Sequence, residues 1–350
     1  MIHFKNSILP ILVALIATTS CIEPVNVKHE DQSGVLTVEA QITTEAKAHL
    51  VHLTTSAPYG GVLKGIVKPV ENAEVIIKDD IGNTTVLSYD SSGTYHTPEY
   101  FKAEVGRSYI LDISYDGNEY ISLKEKVDAV GTIDELVATN KEVPYLSESG
   151  ALTHYSGIEV FAKYHRQPNT ADYFYWNYTG LYTMYTHPEL FIARPLLGLP
   201  YPDPKDCCAE CYRFEYNNAR KISSFDLGQD VAAPRLFFIR DDGFHFAKKY
   251  LLMVHRYTLT KGAYQFFKQL NQQLSINGNI FDPPPVTLRG NIYNTNNINE
   301  TVVGYFVVSD VSTDTLSIYP GDLDNLLPLP IYPDDCRVLP NSSTDKPVFY

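Results

Sequence analysis

The chain has 350 residues, with 28 Lys and Arg against 41 Asp and Glu and a formal charge of -13. That balance, with no basic stripe anywhere, argues against nucleic-acid partners, whose phosphates are held by concentrated cations. Twenty-six tyrosines and sixteen phenylalanines favour sheet over helix, and the length suffices for two domains.

Lys5 precedes an apolar run from Ile8 to Ala17, and Thr18-Thr19-Ser20-Cys21 follows. The run is too short to stay in a bilayer as a spanning helix. Small residues directly before a lone cysteine suit a signal peptidase that leaves the thiol to carry lipid. Residues 1–20 are therefore expected to be a lipoprotein signal peptide and Cys21 the lipidation site, although Thr18 stands where a stronger signal has leucine. Residues 21–33, polar with Pro24, read as a lipidated tether to a membrane surface.

Period-two alternation then begins. Val35, Leu36, Val38, Ala40 and Ile42 predict one strand, His49 to Leu53 the next, and Val70 to Lys78 a third. Further short strands follow at Thr84 to Tyr89, around Tyr109, Leu111 and Ile113, and at Tyr120-Ile121, separated by Asp- and Gly-rich turns. This pattern predicts a β-sandwich over 34–130. Asp79-Asp80 lacks the spaced oxygen ligands of a calcium loop and reads as a solvated turn.

A polar stretch from Gly131 to Thr153 marks the start of a second, β-rich domain over 131–350. Its densest feature is Tyr173, Phe174, Tyr175, Trp176, Tyr178, Tyr182 and Tyr185. Such a run is either a contact platform for a glycan or peptide or a long twisted hairpin with one face in the core. Tyr173, Tyr175, Trp176, Tyr178, Tyr182 and Tyr185 are the binding candidates. Pro188 to Pro204 is too irregular for an element. One amphipathic helix is predicted near 261–275: Thr260 can cap it, Ala263, Phe267, Leu270 and Leu274 recur at helical spacing, and Asn277-Gly278 stops it. Phe281 to Pro285 reads as a stiff connector, and Val302 to Val308 as a last core strand.

Four cysteines remain beyond Cys21: Cys207, Cys208, Cys211 and Cys336. In an exported chain they read as two disulfides. Adjacent cysteines are poor partners, so Cys211 is expected to pair with one of Cys207 and Cys208, and Cys336 with the other. Cys208-x-x-Cys211 also has the spacing of a zinc knuckle, but a second knuckle is missing.

No phosphate loop, nucleophile elbow or metal-protease motif occurs. The histidines are scattered, and nothing selects two of Glu159, Asp172 and Glu189 as a catalytic pair. No catalytic residue, metal or cofactor is assigned, and the chain reads as non-enzymatic.

Several stretches together resemble a large lipoprotein family of Bacteroidetes whose function is unknown. They are Cys21-Ile22-Glu23-Pro24, Ala73 to Asn83, Val105 to Tyr109, Tyr250 to Tyr257 and Thr260 to Phe267. The most specific is Gly278-Asn279-Ile280-Phe281-Asp282-Pro283-Pro284-Pro285, followed by Gly290-Asn291-Ile292 and Val303-Gly304-Tyr305-Phe306. The resemblance implies an immunoglobulin-like N-terminal part, an outer-membrane location and a TonB-dependent receptor as partner, with an accessory or ligand-capturing role. A surface hydrolase and a structural or adhesive protein are the alternatives. The resemblance brings no catalytic residues with it.

Overall fold

The computed structural model describes residues 34–56, 67–147, 149–225, 228–275 and 288–350. The expected signal peptide over 1–20, Cys21, the expected tether over 21–33, Asn277-Gly278 and the expected connector over 281–285 lie outside the described residues.

The fold is mainly β, as the alternation predicts, with a single α-helix among the described residues. One sheet runs in the order Val303–Ser309, Leu36–Thr43, Leu50–Ser56, Thr94–His96, Ser88–Tyr89. A second runs Ile292–Asn294, Asn118–Ser122, Ser108–Tyr115, Glu74–Asp79, Thr84–Val86. Alternate side chains point inward, so Val38, Ala40 and Leu53 of the first sheet meet Val75, Leu111 and Ile113 of the second in one apolar core. This is a sandwich, but 34–130 does not complete it. Two strands from beyond residue 290 do so, and Ile292, Phe306 and Val308 belong to the same core. The boundary expected at residue 131 therefore does not divide the sandwich from everything that follows.

The returning strand 303–309 lies parallel to 36–43, with Val303 beside Thr37 and Ser309 beside Thr43. Gly304, which interrupts the apolar run, has φ +107°, and a Cβ there would collide with the carbonyl oxygen of Val38. Only glycine fits that approach. After Asp310 the chain passes into a different sheet as Val311–Ile318. Asp310 fastens the crossing: its carboxylate accepts from Thr44 Oγ1 at 2.6 Å and from Val130 N at 2.9 Å.

The second half has two further sheets. One joins Glu135–Leu146, Leu152–His165 and Arg235–Arg240, with Val231–Ala232 on the same central strand. The other runs Val311–Ile318, Tyr250–Leu259, Tyr173–Tyr185, Glu210–Ser224, Ser342–Ser343. Between them lies a core containing Val160, Tyr164, Phe174, Trp176, Phe237 and Leu252. The helix Lys261–Leu274 packs on the outer face of the second of these sheets. Thr260 caps it by accepting from Ala263 N at 3.2 Å. Ala263, Phe266 and Phe267 are buried, but Leu274, expected in the buried stripe, is 75% exposed.

The Asp79-Asp80 turn is fastened by a cation that spacing alone did not reveal. Arg107 reaches Asp79 at 2.8 Å and Asp80 at 2.6 Å. The cysteine pairing differs from expectation: Cys211 bonds Cys336, and Cys207 bonds Cys208. Cys211 and Cys336 sit with Cα atoms 5.8 Å apart, inside the usual span of a bridge, which leaves the adjacent pair to each other.

Candidate functional site

The aromatic run is not an exposed platform. Tyr173–Tyr185 is an inner strand, paired on one side with 210–224 and on the other with 250–259, and its first half is covered on both faces. Phe174, Trp176, Tyr178 and Tyr182 point into the core between the sheets. Trp176 is 0% exposed and donates to Ser223 Oγ at 2.8 Å. Tyr175 points the other way, stacked on Tyr257 at 4.4 Å beneath the helix. Tyr173 and Tyr185 are half-buried. The same core holds Arg256, buried among Tyr164, Phe174 and Trp176, whose rings lie 4.9–5.5 Å from its guanidinium. Burial pulls its pKa down to about 10.

The accessible site lies on the opposite side of Tyr175 and is centred on Arg220. The 210–224 strand carries Arg220 over the rings of Phe267 at 5.1 Å and Tyr175 at 6.0 Å. Its backbone carbonyl accepts from Asn271 of the helix at 3.2 Å. On the helix side of Arg220 is a cleft of about 440 Å³ lined by Leu236, Phe238, Phe267 and Leu270, with Asn217 and Lys221 at its edge. On the sandwich side is a second cleft, of about 470 Å³, lined by Glu39, Gln41, Lys47, His49, His52 and Tyr257. Arg220 lines both.

Charges of both signs meet in this groove. Arg220, Lys221 and Lys47 line it, Glu39 is the carboxylate among its described lining residues, and Glu45 pairs with Lys47 beside it. Glu39 pairs with Arg220 at 3.2 Å from an exposed position, where water screens the attraction. His52 is held by Thr94 at 3.2 Å. Burial holds His49 below its ordinary value, so it is neutral near pH 7. An apolar trough beside a half-exposed guanidinium can hold a molecule with a hydrophobic part and an anionic group. The sequence reading missed Arg220. The available signal was a cationic pair, Arg220-Lys221, inside a strand that otherwise alternates.

A second polar cluster is tighter. His245 Nδ1 meets Asp242 at 2.7 Å and Nε2 meets Glu215 at 3.0 Å. Glu215 also accepts from Tyr178 at 3.0 Å and Tyr250 at 3.1 Å. Gly180 makes this possible, because a Cβ there would overlap the Tyr250 hydroxyl. Burial alone would lower the His245 pKa, but hydrogen bonds to Asp242 and Glu215 and their charges outweigh it and raise it to about 9. Burial alone would raise Asp242, yet the bond and charge of His245 hold it at about 2. Nε2 donates to Glu215 and Nδ1 lies in an ion-pair contact with Asp242; with both nitrogens protonated the imidazolium has no lone pair with which to take a proton. The cluster is a clasp between the 210–224 strand and the 241–246 turn. The stabilisation that the raised His245 pKa contributes is fully present below about pH 6.5 and is lost as pH rises through about 9. Between those values wild type is expected to lose about 3 kcal/mol more than His245→Gln, read from urea unfolding at pH 6 and pH 9.5. Parallel curves for the two chains would remove the clasp.

A family model described as Domain of unknown function (DUF4249) matches residues 22–315. No curated protein matches the chain.

Proposed function

The chain therefore belongs to the DUF4249 family, and we propose that it is a non-enzymatic, lipid-anchored outer-membrane protein that captures a ligand beside a TonB-dependent transporter. The family description fixes no activity, so the reading rests on the chain itself. The short apolar run before Cys21 supports the lipid anchor, and the resemblance to Bacteroidetes lipoproteins supports the transporter. Tethering both proteins to one membrane raises their effective concentration for each other, so a modest interface suffices for hand-over.

The observation that carries capture is Arg220, a partly exposed guanidinium that borders two mainly apolar clefts, one against Leu236, Phe238, Phe267 and Leu270 and the other against Gln41, Lys47 and Tyr257. The ligand it suits is an amphipathic anion. Calorimetric titration with dodecanoate is expected to give saturable binding to wild type. A charge-assisted hydrogen bond contributes about 1.5–3 kcal/mol, so Arg220→Ala should weaken binding roughly tenfold to a hundredfold. Glu39→Gln, which frees the guanidinium, should strengthen it. Absence of binding by wild type, or equal affinity in Arg220→Ala, would contradict capture at this groove.

A further inference from the structure

The segment read as irregular, Pro188 to Pro204, forms a projecting finger. Ile192–Ala193 pairs with Tyr201–Pro202, and Asp203 N donates to Phe191 O at 3.0 Å. The seven residues between those strands make the tip. There Leu196 is 101% exposed, Leu197 90% and Leu199 86%. Three leucines that touch nothing else are costly in water, since each stands to gain from burial. We infer that this finger inserts into the interface of a phospholipid bilayer.

Four observations favour lipid over a protein pocket. The tip leucines stand almost wholly in solvent, and a fluid surface accommodates such side chains without a matching cavity. Residues 190–202 contain no acid in a chain with 41 of them, so no carboxylate has to leave water. Pro195, Pro200 and Pro202 have no N–H to leave unpaired in an apolar medium. Arg194 and Tyr201 flank the leucines and are exposed, the residue types that settle at headgroup depth. The apolar surface also continues at the finger's base. His187 N donates to Tyr332 O at 2.7 Å, bringing alongside it a segment in which Leu329 and Ile331 are exposed.

Strand register sets the finger's place relative to the first described strand. Leu36 lies at the Val303 end of the run formed by 303–309 and 311–318, whereas Tyr182 aligns through Tyr250 with Ile318 at the other end. An acyl chain at Cys21 and the finger would then give the molecule two attachments. A single weak anchor gives only marginal, reversible attachment, and two make it stable.

The test is flotation of residues 22–350, which keep every described element and lack the lipid-bearing cysteine, with phosphatidylcholine vesicles. Uncharged headgroups avoid repulsion by the acidic chain. Wild type is expected to float, and the variant combining Leu196→Ser, Leu197→Ser and Leu199→Ser to partition at least about tenfold less, with an unchanged unfolding midpoint because the leucines pack against nothing. In Leu197→Trp, the new indole should shift its emission to the blue on adding vesicles, over a constant background from buried Trp176. The inference is overturned if wild type stays unbound, if the triple variant floats equally, or if the leucines instead drive self-association that ignores vesicles.

Discussion

Glu125→Ala is expected to destabilise the chain by about 3–5 kcal/mol, among the largest effects of any single substitution here. Glu125 is buried and accepts from Thr260 Oγ1 at 2.6 Å, Tyr305 OH at 2.9 Å and Asn291 Nδ2 at 3.2 Å. Those donors belong to the helix cap, the returning strand and the segment before it. Asn291 in turn holds both backbone groups of Phe306, each at 2.9 Å. Removing the carboxylate strands three donors at once, two of them, Asn291 and Tyr305, on buried residues. Burial raises its pKa, and the three donors oppose that rise. Glu125→Gln retains the shape and one acceptor, so its cost should be about 1–2 kcal/mol. Chemical unfolding of both variants checks this, and a cost below about 1 kcal/mol for alanine would mean that the three elements do not depend on the carboxylate.

Replacing Cys211 and Cys336 together by serine is expected to cost about 4–5 kcal/mol. The bridge closes a loop with a sequence separation of 125, and the entropy recovered by the unfolded chain grows with loop length. The loss should concentrate in the C-terminal tail. That tail is held otherwise by Cys336 N on Cys208 O at 3.0 Å, by the two-residue pairing of 342–343 with 212–213, and by the Tyr350 hydroxyl, which meets Thr183 and the Lys249 carbonyl. Limited proteolysis should cut the double variant within 319–350 well before the rest of the fold. Wild-type resistance in the double variant would place the tail's stability in those other contacts.

The parts of this fold that were legible in the sequence are those fixed by neighbours along the chain. Alternation at Leu36, Val38 and Ala40 reports one buried face, and Thr260 with Ala263 and Phe267 reports a capped helix, because both signals repeat within a few residues. What spacing could not report is pairing over long separations. Nothing near residue 303 says that it will lie parallel to residue 37, and Gly304 reads as an interruption until Val38 is seen against it. The aromatic run was ambiguous for a related reason: a strand buried on both faces and a sticky exposed strand have the same composition. Arg220 gains its meaning only from Phe267 and Tyr175, which lie 47 and 45 residues away in sequence. The leucine tip carried no periodicity, so it read as loop, and only its exposure sets it apart.

The measurement that bears most directly on the proposed role is a mild-detergent pull-down of the tagged, lipidated protein from native outer membranes, with mass spectrometry of what remains at near-equal stoichiometry. A TonB-dependent barrel in the eluate is the expected result, and it would identify the ligand class through the receptor. An eluate from well-solubilised membranes with no stoichiometric barrel would contradict the transporter partnership.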